Sequence, residues 1–292
     1  MKILLLGMDG QVGRAAQQVL PRLGELVAFG RDVADLERPE TLGPLIDRER
    51  PDVIVNAAAY TAVDLAEDER ARAWTINAGA VGAIGEAAKK NNALVVHYST
   101  DYVFDGQASG PYGETSPTNP LSVYGASKLA GEVLLRDSGA RHIILRTSWV
   151  YAPVGKNFPL TILRLSKERE ALTVVADQHG APTPAGLIAE VTAQVIGKPV
   201  DGLYHLAPQG ETSWHGFAHL LITEANAAGA SLKLKPEGIG AIPAAEYPTK
   251  AVRPTNSRLD TTKLQSTFGL TLPPWQDGVR QMISTLATEG RL

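Results

Sequence analysis

The sequence predicts an α/β protein built on a doubly wound parallel sheet, with a smaller C-terminal substrate domain. Three observations predict it. Short apolar, β-branched runs alternate with helical patterns through the first half of the chain, the order that parallel βαβ units require. These runs lack polar alternation, as expected of strands covered by helices on both faces. The stretch Gly7-Met8-Asp9-Gly10-Gln11-Val12-Gly13 falls between the first apolar run and the first helical pattern, where such sheets carry a phosphate-binding turn.

Taken in order, residues 3–6 read as a buried first strand and residues 12–20 as the helix after it, stopped by Pro21 because proline cannot continue a helix. Residues 26–29 and 53–55 are the second and third expected strands. The alanine-rich residues 71–90 have helical propensity, and residues 94–98 and 143–146 supply strands four and five. Past about residue 150 prolines and glycines become frequent. Residues 1–150 are therefore expected to form a dinucleotide-binding domain and 151–292 mostly a substrate-binding one, with a helix at about 185–197 returning to the first.

Composition removes several classes of function. The 292 residues are 44% hydrophobic and 20% charged, enough to bury a large core. A net charge of -3 gives no basic surface for nucleic acid. With no cysteine there is no disulfide, thiolate metal site or thiol nucleophile. The apolar run after Met1 is too short for a signal-peptide core, and no apolar run approaches the roughly 20 residues of a membrane span. The expectation is a soluble cytoplasmic protein without nucleic-acid or membrane partners. The six histidines show no metal-ligand spacing, and His97 reads as a core or near-site residue rather than a ligand.

In the glycine loop, Gly7 permits the tight turn, Gly10 lets backbone approach a pyrophosphate, and Gly13 lets the helix pack on the strand. The helix N-terminus adds free N–H groups and partial positive charge. At the end of the second strand, Phe29-Gly30-Arg31-Asp32 puts glycine where an NAD-preferring protein carries an acid. Arg31 offers a cation to a 2′-phosphate, which favours NADPH. NADH stays open, through Asp32 or Asp35 on the ribose.

Tyr124 and Lys128, four residues apart, share one helical face. A tyrosine titrates near pH ~10, and an adjacent ammonium is expected to stabilise its phenolate and draw it towards the working range. Tyr124 would then donate a proton to a ketone oxygen while Lys128 holds the nicotinamide ribose. His97-Tyr98-Ser99-Thr100-Asp101 stands at the carboxyl end of the fourth strand, where open sheets place ligands, and Thr100 is the candidate hydroxyl for the substrate oxygen, with Ser99 second. Asn56-Ala57-Ala58-Ala59 ends the third strand beside the cofactor.

These residues, with Gly10-Gln11-Val12-Gly13, the run from Val55 to Asp64, Tyr124-Gly125-Ala126-Ser127-Lys128, Arg146-Thr147-Ser148-Trp149, Asp177-Gln178-His179-Gly180 and Arg253-Pro254-Thr255-Asn256, make the chain resemble the extended short-chain dehydrogenase/reductases acting on nucleotide sugars. The similarity is greatest to the dTDP-4-dehydrorhamnose reductase family and runs through nearly the whole chain. It implies a Rossmann-type fold and reduction of a dTDP-linked 4-keto sugar with NAD(P)H, the last step in making dTDP-L-rhamnose. It implies Tyr124 as proton donor, Lys128 on the cofactor ribose, and Thr100, Asp101, Trp149, Asn157 and Arg253 at the substrate. Gly10, Gln11, Val12, Ala59, Tyr60, Thr61 and Tyr98 would touch the dinucleotide, with Asp35 and Leu36 near its adenine. Some members share a magnesium ion across a homodimer through a glutamate just after the glycine loop. Arg14-Ala15 stands there instead, which speaks against a metal.

A 4,6-dehydratase of the same superfamily needs a second carboxylate after Asp101, and Tyr102 occupies that place. A 4-epimerase keeps its NAD through the cycle, whereas a reductase consumes free NADPH. The alternative from another class is a non-catalytic dinucleotide-binding regulatory subunit, such as that of methionine adenosyltransferase, which would not need Thr100, Tyr124 and Lys128 together.

Overall fold

The computed structural model describes all 292 residues. Five strands come in the expected order: β1 (Lys2–Leu6), β2 (Glu25–Phe29), β3 (Val53–Asn56), β4 (Leu94–Thr100) and β5 (Arg141–Thr147). A sixth strand, Gly202–His205, joins β5, so the sheet runs from it through β5, β4, β3 and β1 to β2, every pair parallel. Successive residues of a strand face opposite sides. Leu4, Leu6, Ile54, Val95 and Ile144 accordingly belong to one buried cluster, and Ile3, Leu5, Val55, Val96 and Leu145 to another.

The helices are α1 (Gln11–Val19), α2 (Leu42–Glu49), α3 (Arg70–Trp74), α4 (Ala80–Asn91), α5 (Val123–Asp137), α6 (Phe158–Glu168), α7 (Ala185–Val195), α8 (Trp214–Ala227), α9 (Thr262–Phe268) and α10 (Trp275–Thr288). Helices α2, α4 and α5 cover the first sheet face, while α1 and α7 pack together on the second. Helices α6, α8 and α10 build a separate core around Phe217, Leu221, Val279 and Ile283. Residues 185–206 and 264–272 contribute Ile188, Val195, Tyr204, Leu206, Leu264 and Leu272 to the core of the main sheet. The chain therefore passes back across residue 150 more extensively than one returning helix.

The alanine-rich segment is not one continuous helix. A π-helical turn, Thr75–Gly79, separates α3 from α4. Wide turns of this kind occur at functional positions, and here it directs Asn77 to three partners. Asn77 donates to the Tyr60 carbonyl at 3.1 Å and to Ser127 Oγ at 3.0 Å, and accepts from the Tyr60 N–H at 2.9 Å. One amide thus ties the loop after β3 to α5.

Helix α5 is fixed on the sheet by a buried ion pair. Arg146 on β5 donates to both Glu132 oxygens, Nε at 2.8 Å and Nη2 at 2.6 Å, and Ser99 on β4 donates to Glu132 Oε1 at 2.5 Å. The two side chains are 4% and 0% exposed, so removal of one leaves an uncompensated buried charge. Glu132→Ala is expected to lower the unfolding free energy by about 3–5 kcal/mol in urea or thermal denaturation. A loss smaller than about 1 kcal/mol, the scale of an exposed pair, would contradict this account of α5.

Candidate active site

The carboxyl ends of β1, β3 and β4 and the first turns of α1 and α5 enclose a cavity of about 720 Å³. The glycine loop forms one end. Gly7 has φ +83°, and a Cβ there would stand 2.6 Å from the Ala58 nitrogen, so only glycine fits. A Cβ on Gly13 would collide with the Gly7 carbonyl, so Gly13 serves helix-to-strand packing and does not line the cavity. Helix α1 begins at Gly10 with no side-chain cap and no acid in its first turn. Its free N–H groups face the cavity and suit a pyrophosphate.

Gln11, Val12, Arg31, Asp35, Leu36, Ala59, Thr61 and Tyr98 also line this space. Tyr60 does not. Its N–H and carbonyl are held by Asn77, and its hydroxyl donates to Glu69 Oε2 at 3.0 Å. The ring is therefore turned into the protein, contrary to the expected dinucleotide contact. Arg31 is not the free cation the sequence suggested. It pairs with Glu37, with Asp35 Oδ1 3.4 Å from Nε. Arg72 shares the same glutamate, its Nη2 2.7 Å from Glu37 Oε1. Arg31 and Arg72 thus share the Glu37 carboxylate, and of the three, Arg31 and Glu37 line the cavity.

Tyr124 and Lys128 project from the first turns of α5, which Ser122 caps by accepting from the Gly125 N–H. Both line the cavity beside Thr100 and Asp101. The Tyr124 hydroxyl is pushed up to about 12, first by burial and then by the Asp101 charge, against the Thr100 hydroxyl, which lowers it. The expected charge-charge help from Lys128 is not among these causes. The Lys128 amine instead donates to the Tyr98 carbonyl at 2.6 Å and lies 3.4 Å from His97 Nε2. These contacts hold it against β4, and burial brings it down to about 8. Tyr124 is consequently fully protonated at neutral pH.

Two further expected residues have other roles. Asn157 faces the cavity, but its amide donates to Gln11 Oε1 at 2.7 Å and to the Ala152 carbonyl at 2.8 Å, and its oxygen caps α6. Its polar atoms are spent on local structure, so it positions Gln11 rather than offering a free group to substrate. Arg253 lines a second cavity of about 1120 Å³. One nitrogen reaches Asp64 Oδ2 at 2.8 Å, while its buried Nε has no partner and suits an anionic ligand.

Trp214 borders both cavities together with Phe158. It stacks on Trp149 with ring centroids 3.7 Å apart and planes 15° from parallel. Trp149 has φ +51°, a costly conformation for a bulky residue. Its indole lies over Gly180, where a Cβ would approach Cε2 to 2.9 Å. The absence of a side chain at Gly180 is what lets the indole lie there.

Residues 1–288 match the family model for the RmlD substrate binding domain. The chain belongs to this family. Across 99% of both sequences it is 51% identical to the dTDP-4-dehydrorhamnose reductases of Shigella flexneri and of Escherichia coli K12. Among solved structures it resembles the dTDP-4-dehydrorhamnose reductase of Bacillus anthracis in complex with NADP. That match has TM-score 0.91 and 32% identity over 97% of this chain and 99% of the other. The Clostridium acetobutylicum protein matches with TM-score 0.92 and 33% identity, over 98% of this chain and 99% of that one. A UDP-glucose 4-epimerase from Thermus thermophilus, 20% identical with TM-score 0.79 and full coverage of both chains, shares the fold.

Asp101 gives this site a pH signature. It is 2% exposed, Oδ2 has no partner, and burial first, against the Ser257 and Thr100 hydroxyls, raises its carboxyl from 3.8 to about 6. The fold thus prefers the protonated acid. That preference stabilises fully below pH 3.8 and is lost as pH rises through 6. Asp101→Asn, neutral throughout, is expected to increase unfolding free energy by about 2–3 kcal/mol near pH 8 and by little near pH 4. An equal change at both ends of a urea-denaturation series would contradict a buried carboxylate of this kind.

Proposed function

We propose that this chain catalyses the NADPH-dependent reduction of the 4-keto group of dTDP-4-dehydro-L-rhamnose, forming dTDP-L-rhamnose. The observation that carries this reading is Tyr124 beside Thr100 in the same cavity that the glycine loop lines. Full-length similarity to reductases of that name supports the substrate. Bound NADPH supplies a hydride to carbon 4 of the sugar. Tyr124 gives its proton to the carbonyl oxygen, and Thr100 orients that oxygen by hydrogen bonding. Tyr102 faces the same space where a dehydratase would require a second carboxylate, so proton removal beside the ketone has no base.

Substrate enters between the two lobes. The sugar fits against the Trp149–Trp214 pair, and Arg253 offers its unpartnered Nε to a phosphate oxygen at the second cavity. At the cofactor end, Arg31 and Arg72 flank Glu37. A 2′-phosphate gains from Arg31, which lines the cavity, at the expense of its existing pair with Glu37.

Tyr124→Phe is expected to lose at least about 100-fold in kcat, the lower bound for a lost general acid, while NADPH affinity measured by fluorescence titration changes little. Near-normal kcat in an NADPH-oxidation assay with dTDP-4-dehydro-L-rhamnose would reject the assignment. For the cofactor, Arg31→Ala should raise the KM for NADPH about tenfold or more, the scale of a lost charge-assisted bond, and leave that for NADH nearly unchanged. Equal rises for both would mean that Arg31 does not read the 2′-phosphate.

A further inference from the structure

Behind Lys128 lies a chain of three side chains whose hydrogen-bond polarity is fixed. Asn56, at the end of β3, accepts the Ala58 N–H on Oδ1 at 3.2 Å. Its Nδ2 must then point the other way, to His97 Nδ1 at 3.2 Å. An amide nitrogen only donates, so Nδ1 is the accepting nitrogen. A neutral imidazole carries one proton, which is therefore on Nε2, and Nε2 faces Lys128 Nζ at 3.4 Å. Turning Asn56 over would set its amine against the Ala58 N–H, so the backbone holds the whole chain in one sense.

An ammonium has three donors and no acceptor, whereas a free amine has a lone pair. Facing the His97 N–H, Lys128 can accept only as the amine. We propose that His97 is a positioning residue that sets the protonation of Lys128, converting it from a fixed cation into a proton carrier. Several groups surround the lysine. Tyr124 and Glu132 stand one turn away on α5, and Glu132 favours the charged form. Arg146 on β5 engages Glu132 with two hydrogen bonds and so spends part of that support. The Tyr98 carbonyl on β4 holds the ammonium, and Asp101 follows that strand. His97 is 1% exposed; burial first, then Lys128, drives it well below its ordinary range, so it adds no positive charge of its own. Burial, against the Glu132 charge, already leaves Lys128 near 8, where it can pass a proton towards Tyr124 after the phenol has given its own away.

The polarity rests on the chain alone; only its use in catalysis rests on the reductase reading, and the two are separable by experiment. Long-range ¹H–¹⁵N NMR of histidine-labelled full-length protein, without cofactor, reports the tautomer of His97. The signal is assigned by its loss in His97→Gln. Proton on Nε2 is expected; proton on Nδ1 would overturn the proposal whether or not the protein reduces sugars. Lysine ¹³Cε titration, with Lys128→Met for assignment, then reads the lysine directly. His97→Phe removes the donor and should raise Lys128 by about one unit or more, a tenfold change in its dissociation constant. His97→Gln keeps an acceptor for Asn56 and a donor for Lys128, and should restore the wild-type value. An unchanged Lys128 titration in His97→Phe would overturn the proposal. Should that variant not fold, Asn56→Asp serves, because its carboxylate accepts from both neighbours. The proton on His97 must then move to Nδ1, and failure of the tautomer to switch would equally overturn the proposal. With the alkaline limb of kcat/KM following Lys128 upward in His97→Phe, the same shift would appear in turnover, which a merely structural histidine would not produce.

Discussion

The placement of α5 on the sheet is the constraint on which the site depends. Tyr124 and Lys128 have meaning only if the first turns of that helix lie against the last residues of β4. Glu132, bonded to Arg146 of β5 and Ser99 of β4, sets its position from below. From the side, Gly131 lets the helix approach the Asn77 carbonyl and Gly125 lets it approach that of Tyr102, where any Cβ would collide. Asn77 also receives Ser127 into its network. These contacts come from β4, β5 and the π-helical turn, so the helix cannot slide by a residue without breaking all of them.

The electrostatics follow from that placement. The cavity floor is buried, and burial favours the neutral form of each acid or base it holds. Tyr124 therefore stays protonated, Asp101 titrates near 6 and Lys128 near 8. For ketone reduction this suits the donor: the phenol holds its proton until negative charge develops on the substrate oxygen. The Thr100 hydroxyl, which lowers Tyr124, supplies local assistance, while Lys128 is held by the Tyr98 carbonyl and His97. Burial, Thr100 and Asp101, rather than the charge of Lys128, set the Tyr124 hydroxyl.

Much of the first lobe was legible because its signals are local. The strands β1 to β5 are short apolar runs, Pro21 ends α1, and the glycine loop lies where strand gives way to helix. What escaped was set by distant contacts. The Gly202–His205 strand has too little apolar length to announce a place beside β5, and the π-helical turn is invisible in an alanine-rich stretch because Asn77 is drawn outward by Tyr60 and Ser127. Site residues divide in the same way. Thr100, Asp101, Tyr124 and Lys128 converge on one cavity, whereas Tyr60 is pulled away by Asn77 and Glu69, and Asn157 is consumed as a helix cap. Trp214 gave no sequence signal beyond its aromaticity, since its partner Trp149 is 65 residues earlier by the numbering. The missing Cβ of Gly180 and the positive φ of Trp149 appear only in three dimensions.

The central claim is a hydride delivered to carbon 4 and a proton delivered to its oxygen. Its most direct test is a single-turnover reaction with stereospecifically deuterated NADPH and dTDP-4-dehydro-L-rhamnose, with the product sugar read by NMR and mass spectrometry. The account predicts one deuterium, bound to carbon 4 of dTDP-L-rhamnose, and oxidised cofactor free of label. Label retained in the cofactor, or found at any other sugar carbon, would contradict it.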